Sequence, residues 1–339
     1  MDAYRKTGVV LRPATMEDLE PVVGLLQACS LDLVGIKEDH ADDLRTWWTT
    51  PGLCLETDTR VAVSGDEGIV GYAEVSDFAT PHVRVEAWGR VHPGHRGCGI
   101  GSRLIEWEDA RALEALGKAP EDARISISQW LEVVDRRGHE LVISRGYGVV
   151  RHFRRMEIAL DRESEPIEWP EGITVRGFNP VEDPFPLTVA ADEAFRDHWG
   201  HVETPLAESV ERTRHRMTNP AFDPSVWFLA TERDEIVGMS LCQLRSAEDP
   251  DLAWINTLGV RAAWRRRGIA HALLRHSFRE LYRRGKRRVC LGVDSASLTG
   301  ATRVYERAGM KPTRTWIIYE KEIRPGVELS TQSSEASKG

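Results

Sequence analysis

The chain has 339 residues, 41% of them hydrophobic, enough for two domains that each bury a core. A formal net charge of -8 argues against a general nucleic-acid binder, despite local arginine runs. Five scattered cysteines (Cys29, Cys54, Cys98, Cys242, Cys290) form no Cys-x-x-Cys pair, so neither a disulfide framework nor a metal site is indicated. The start of the chain leads straight into a strand pattern, without a signal peptide, and no apolar run is long enough to span a bilayer. The expectation is a cytoplasmic protein with no membrane partner.

In chain order, Val9 to Thr15 reads as a short strand ending at a turn, with Thr15 as a cap. Leu19, Val22, Val23 and Leu26 then recur at helical spacing, and His40 to Trp48 is a second helical piece. Cys54 to Val63 and Ile69 to Val75 read as a hairpin around the turn Ser64-Gly65-Asp66-Glu67-Gly68. Val83 to Val91 is the next strand. Ser102 to Leu116 is an amphipathic helix, Ala123 to Trp130 a strand, Glu132 to Arg145 a helix, and Tyr147 to Leu160 a closing hairpin. A charged linker with Pro166 and Pro170 follows, over residues 161–171.

After the linker the order of elements repeats. Arg176 answers Arg12, Gly238 answers Gly71, Gly268 answers Gly99 and Gly309 answers Gly146, at shifts of 163 to 169 residues. A nearly constant shift through four landmarks is an internal repeat whose period is a whole domain. The expected domains are therefore 8–160 and 172–324, with a polar, disordered tail over 325–339.

Two glycine loops stand at equivalent places. In the second copy the apolar run Trp254 to Val260 leads into Arg265-Arg266-Arg267-Gly268-Ile269-Ala270. In the first, Val91 leads into Arg96-Gly97-Cys98-Gly99-Ile100-Gly101. A glycine at the start of a helix lets a ligand approach the backbone, and the first helical turn leaves N–H groups without partners. Those donors and the helix dipole suit an anion, most naturally a pyrophosphate. Neither a dinucleotide-binding fingerprint nor a Gly-Lys-Ser/Thr phosphate loop is present.

Both loops resemble motif A of the GNAT superfamily of acetyl-CoA-dependent N-acetyltransferases, where an Arg/Gln-x-x-Gly-x-Gly/Ala segment holds the pyrophosphate of CoA on backbone amides. The resemblance covers nearly the whole chain. It implies an α/β (α+β) fold of two tandem GNAT domains, each a mixed, largely antiparallel twisted sheet flanked by helices. That sheet splays between its fourth and fifth strands to admit the CoA chain. It also implies acetyl-CoA as cofactor and a small-molecule amine as acceptor, in a monomer or homodimer.

Acetyl transfer needs a polarised thioester carbonyl, a neutral amine and a proton for the leaving thiolate. The family pattern assigns the carbonyl donor to the backbone N–H of Leu258, and further cofactor contacts to Val260 and Ser297. Arginines 265–267 are expected to act chiefly through their backbone. Tyr305, in the helix after the strand Arg288 to Asp294 and four residues before Gly309, matches the family's tyrosine acid; its structural reading is a core tyrosine with its hydroxyl at the edge. The corresponding residue of the first copy is Val142, which cannot donate a proton. The expectation is a working C-terminal domain and an N-terminal domain that is regulatory, structural or a cofactor-holding relic. Where many members carry a strand glutamate as base, this chain has Trp254. Asn256 shares its face by alternation, and Glu248, Asp249 and Asp251 are the nearby carboxylates. His198 and His201 flank Trp199 where the acceptor pocket is expected, and either could take a proton near neutral pH. Two other readings stay open: a non-catalytic acetyl-CoA sensor or scaffold, and acetylation of a cysteinyl amino-sugar conjugate, as in fused two-domain members with a working C-terminal half.

Overall fold

The computed structural model describes residues 8–65, 67–296 and 301–332. The first half runs β1 (Val10–Arg12), α1 (Leu19–Val34), α2 (Ala41–Trp48), α3 (Leu55–Asp58), β2 (Thr59–Ser64), β3 (Gly68–Ser76), β4 (Arg84–Val91), α4 (Ile100–Ala112), β5 (Ile125–Glu132), α5 (Arg136–Ser144) and β6 (Gly148–Ala159). The second runs β7 (Ile173–Gly177), α6 (Pro184–Phe195), α7 (Leu206–Arg216), β8 (Trp227–Glu232), β9 (Glu235–Gln243), β10 (Leu252–Val260), α8 (Ile269–Arg283), β11 (Arg288–Asp294), α9 (Ala301–Arg307) and β12 (Lys311–Arg324).

The chain forms two compact units, and they do not coincide with the two halves of the sequence. Unit 1 takes the chain up to Arg151 and adds Trp316–Leu329; unit 2 is His152–Thr315 with the residues from Ser330 on. In unit 1 the strands pair in the order β1-β2-β3-β4-β5-β12. Only the β4–β5 pair is parallel, and β12 lies antiparallel on β5 from Trp316↔Glu132 to Arg324↔Ile125. In unit 2 the order is β7-β8-β9-β10-β11-β6. Its β10–β11 pair is parallel, and β6 lies antiparallel on β11 from Ala159↔Arg288 to Phe153↔Asp294. Each unit thus takes its last strand from the other half of the sequence. This differs from the hairpin expected over Tyr147 to Leu160, which is one twelve-residue strand.

Periodicity explains why the elements form. Along α8 the buried side chains are Ile269, Ala272, Leu273, Leu274, Ser277, Phe278 and Leu281, a stripe at i, i+3 and i+4 that packs on β9 and β10. Full burial of each large apolar side chain contributes about 1.5–3 kcal/mol. The equivalent stripe of α4 is Ile100, Leu104, Ile105, Glu108, Arg111 and Ala112, with two charged residues among the apolar ones. Arg111 is buried between Asp58 (2.7 Å) and Asp77 (2.9 Å), and Lys118 also reaches Asp77 (2.9 Å). Burial alone would raise the Asp77 carboxyl, but Arg111 and Lys118 outweigh it and hold it low.

The segment after β12, expected as a disordered tail, is bonded as far as Thr331. Arg124 N–H donates to the Val327 carbonyl (2.8 Å), Val327 N–H to Asp122 (2.7 Å), and Thr331 N–H to His201 (2.8 Å). A Cβ at Gly326 would lie 2.3 Å from the Asp122 carbonyl oxygen, so only glycine passes there.

Candidate active site

In each unit the two parallel strands pair for a few residues and then separate. The β4–β5 pairing ends at Ala87↔Gln129, though β4 continues to Val91 and β5 to Glu132. The β10–β11 pairing ends at Trp254↔Cys290, though β10 continues to Val260 and β11 to Asp294. Beyond those points each strand leaves backbone groups facing a gap, and the helix that follows opens at its mouth.

Both loops adopt one geometry. Gly97 and Gly99 have φ of 80° and 81°; Arg266 and Gly268 have φ of 63° and 87°. Two left-handed residues separated by one other turn successive N–H groups toward one side, a concavity that accepts anions. In α8 the Ala272 N–H makes the first helical bond, to Gly268 (3.0 Å), so the N–H groups of Ile269 and Ala270 precede it at the helix start. In α4 the equivalent bond runs from Arg103 to Gly99 (3.2 Å). Glycine tolerates positive φ freely, whereas Arg266 bears a steric cost of roughly 1–2 kcal/mol.

The side chains of Arg265, Arg96 and Arg267 are engaged by neighbouring groups of the protein. Arg265 donates to the Val260 carbonyl (3.2 Å), to the Ala194 carbonyl (2.8 Å) and to Asp197, which it holds below the usual carboxylate range. Arg96 pairs with Asp32 in the same way. Arg267 is held by Glu232 (2.7 Å). Arg266 is exposed and forms no ion pair among the described residues.

Tyr305 lies on α9 and is buried in the unit 2 core, and burial pushes its phenol up to about 12. It stays protonated at neutral pH. Val142 holds the equivalent place in unit 1: the Tyr147 N–H bonds its carbonyl as the Met310 N–H bonds that of Tyr305. Ser297 lies outside the described residues.

Of the acceptor-side candidates, the structure brings His198 to the loop. Its ring meets Phe195 edge-on at 4.8 Å, and Phe195 is so close to Gly259 that a Cβ there would be 2.9 Å from the ring. Burial lowers the His198 pKa, so the imidazole is neutral at pH 7; Asp197 and Asp294 oppose the shift, and Arg265 and His201 add to it. His201 lies 3.7 Å from Asp192, and its backbone N–H bonds the His198 carbonyl (3.1 Å). Trp199 is half-buried between the two histidines. Trp254 is covered by the guanidinium of Arg155 (4.9 Å), and Asn256 bonds Gln243 (3.1 Å).

Two of the nearby carboxylates are already engaged. Arg155, only 2% exposed, grips Glu248 through both oxygens (2.9 and 2.8 Å), and Arg288 holds Asp249 (2.7 Å). The third, Asp251, uses its carbonyl to take the N–H groups of Arg287 and Arg288.

One equivalence is hidden in the sequence. β10 carries a bulge between Ile255 and Thr257. Counting back from Gly268 and Gly99 therefore goes astray by one residue. Strand register pairs Trp254 with Gln243 and Cys290, and Glu86 with Ser76 and Ser128. The unit 1 partner of Trp254 is thus a glutamate, and it is exposed.

In unit 1 the gap opens into a cavity of about 620 Å³, lined among others by Val91, Arg96, Gly97, Gly99, Gly101 and Val142. The first loop, its strand exit and the residue equivalent to Tyr305 therefore share one chamber.

Comparison with known proteins agrees with this geometry. The Acetyltransferase (GNAT) family model matches residues 22–119 and 190–310, one stretch in each half. The chain belongs to the GNAT family. It is an acetyl-CoA-dependent N-acetyltransferase of tandem architecture. A mycothiol acetyltransferase of Streptomyces scabiei is 31% identical over 264 residues, covering 77% of this chain and 79% of that relative. One from Thermobispora bispora is 29% identical over 260 residues, covering 76% and 81%. Among solved structures, a GCN5-related N-acetyltransferase from Sphaerobacter thermophilus aligns with a TM-score of 0.77 at 34% identity, covering 98% of this chain and 99% of that one. A tandem GNAT protein from the clavulanic acid biosynthesis pathway aligns at 0.67 and 16% identity, covering 94% and 100%, a likeness of fold. No helix among the described residues is long and apolar enough to cross a membrane.

Proposed function

We propose that unit 2 is the principal transfer centre and moves the acetyl group of acetyl-CoA directly to a primary amine of a small molecule, in a ternary complex. The observation that carries this is the placement of Tyr305, a protonated phenol in the unit whose loop bears Gly268 at its helix start. The diphosphate rests on the N–H groups around Gly268, Ile269 and Ala270. The pantetheine arm runs along Leu258 and Val260, and the Leu258 N–H polarises the thioester carbonyl. Tyr305 protonates the departing thiolate. His198, neutral and beside the loop, takes the proton of the attacking amine.

Further support comes from a cavity of unit 2, of about 430 Å³, lined by His271, Arg275 and Arg307 among others. Burial lowers the His271 pKa, and the two arginines lower it further, the signature of a site with surplus positive charge. That charge suits the phosphates of CoA. Unit 1 holds a second acetyl-CoA on the N–H groups around Gly97 to Gly101. The mycothiol acetyltransferases named above make a thiol-bearing amino-sugar conjugate the first acceptor to try. With Trp254 where a carboxylate base is expected, simple amino sugars and amino acids belong in the same panel.

The test follows free CoA release with that panel. Tyr305→Phe is expected to lower kcat by about 10²-fold or more with little change in acetyl-CoA affinity. Wild-type turnover in Tyr305→Phe would move the transfer centre to the other unit, and no turnover by the wild-type chain with any acceptor would favour the sensor reading.

A further inference from the structure

The lining of the unit 1 cavity includes a buried carboxyl group. Glu108 is on α4, one turn beyond Leu104 and Ile105, and the three residues line the chamber together with Gln129 and Val142. It is only 3% exposed and accepts one hydrogen bond, from Gln129 Nε2 at 2.6 Å. Gln129 is the last residue of β5 that still pairs with β4, so this contact marks the point where the strands part. Directly across lies Gly89. A Cβ there would be 3.1 Å from Glu108 Oε1 and 2.9 Å from the Tyr72 carbonyl oxygen, so the strand backbone itself faces the carboxyl. Counting back two residues from the strand end, Gly89 stands where Leu258 stands in unit 2. The matching helix position in unit 2 is Ser277, whose hydroxyl is spent on Ser240 (2.7 Å) and on the Leu273 carbonyl (2.9 Å).

We propose that Glu108 is the proton donor of a second acyl-transfer centre in unit 1, placed at the sulfur end of the acetyl-CoA held there and supplying what Val142 lacks. The inference rests on the reading that unit 1 holds acetyl-CoA, and it replaces the view of this unit as a relic. An amine nitrogen attacks the thioester carbonyl carbon, the C–S bond breaks, and the sulfur takes the Glu108 proton. The amine gives its surplus proton to solvent, and solvent reprotonates Glu108. Burial supports the required protonation state by raising this carboxyl to about 8, against a smaller opposing effect of Gln129. Asp109 and Glu74 add to the rise and Arg90 opposes it. The other titratable groups around the chamber are Asp135, Arg137 and Glu140, with His95 and Arg96 at the loop, while Tyr147 is turned to Asp109 (2.8 Å).

The experiment uses the full chain carrying Gly268→Asp, which sets a carboxylate in the unit 2 anion site, so that ligand events report unit 1. Acetyl-CoA binding is measured by calorimetry, and hydroxylamine serves as a small nucleophile whose acetylation is followed against pH. The expected rate falls on the alkaline side as Glu108 ionises. Glu108→Gln lowers it about tenfold or more and abolishes that fall, with acetyl-CoA affinity within about twofold of the parent. Gln129→Met keeps the acid but removes the bond that favours its ionised form, so the alkaline fall moves to higher pH. An unchanged rate and profile in a Glu108→Gln protein that still binds acetyl-CoA overturns the proposal alone. Failure of the Gly268→Asp chain to bind acetyl-CoA at all overturns the underlying reading of unit 1 as well.

Discussion

Units 1 and 2 have the same strand order, the same parting of parallel strands and the same left-handed pair in the loop, yet they distribute their chemistry in opposite ways. Unit 2 has Tyr305, Trp254 and Arg266 where unit 1 has Val142, Glu86 and Gly97. Unit 1 carries three carboxyl groups that are raised, half-buried Asp39 to about 6, half-buried Glu74 to about 7 and buried Glu108 to about 8, each chiefly by desolvation, beside Asp18 and Asp77, which Arg12 and Arg111 hold low. In unit 2, Asp183, Asp197, Glu232 and Glu280 are all held low by arginines. The difference teaches that backbone geometry fixes where a CoA-like ligand can lie, while the side chains around it decide which proton transfers each copy can support.

The largest expected effect that sharpens this contrast is on stability. Arg111→Met leaves Asp58 and Asp77 buried without their guanidinium, and about 3–5 kcal/mol is expected to be lost. Amide exchange should rise in unit 1 and stay near its original level in unit 2. Arg155→Met strands Glu248 in unit 2 and should give the mirror image. If either change loosened both units equally, the division into two stability units would fail.

Next come the loops. Gly268→Asp places a carboxylate where a diphosphate is expected, and turnover with the best acceptor should fall by about 10²-fold, since uncompensated repulsion of close charges costs several kcal/mol. Gly97→Asp should leave most turnover in place and remove one equivalent of acetyl-CoA from a calorimetric titration. The reverse result would exchange the roles of the two units.

A smaller effect is set by pH. In unit 1 the folded-state pKa values of Asp39, Glu74 and Glu108 lie above those of the unfolded chain, so the folded form binds more protons. The stability they contribute is complete below about pH 4 and is lost as pH rises through about 6, 7 and 8. The lowered carboxylates of unit 2 contribute stability above about pH 4 that is lost on acidification. Amide protection measured from pH 5 to 8 should therefore decline in unit 1 relative to unit 2.

The smallest change is Arg266→Gly, which removes the left-handed strain that unit 1 avoids with Gly97. It should raise the stability of unit 2 by up to about 1 kcal/mol in chemical denaturation, after the entropic cost of a glycine is subtracted. A loss of stability would mean that the Arg266 side chain holds the loop.

Much of this was legible in the sequence. The glycine loops, the repeat and the tyrosine/valine contrast at 305 and 142 all sit at fixed distances from landmark glycines. The exchange of β6 and β12 was not legible, because alternation shows which face a strand buries but not which neighbour it joins. Glu86 was hidden by the bulge at Asn256, which shifts the count by one. Glu108 falls in the segment Ser102 to Leu116, legible only as an amphipathic helix, because nothing local to residues 100–112 reveals that this side of the helix meets a cavity. The engagement of Glu248 with Arg155 joins residues 93 positions apart in the chain, beyond the reach of any local pattern.

The exchanged strands also govern how the protein can be made. A ribosome that has released everything up to the linker has produced five strands of unit 1 without the sixth, and β5 carries an open edge until Trp316 to Arg324 emerge, after nearly all of unit 2. Completion of the first unit therefore waits until the second half has been made, and a gene cut at the linker yields two fragments, each missing the strip that closes it.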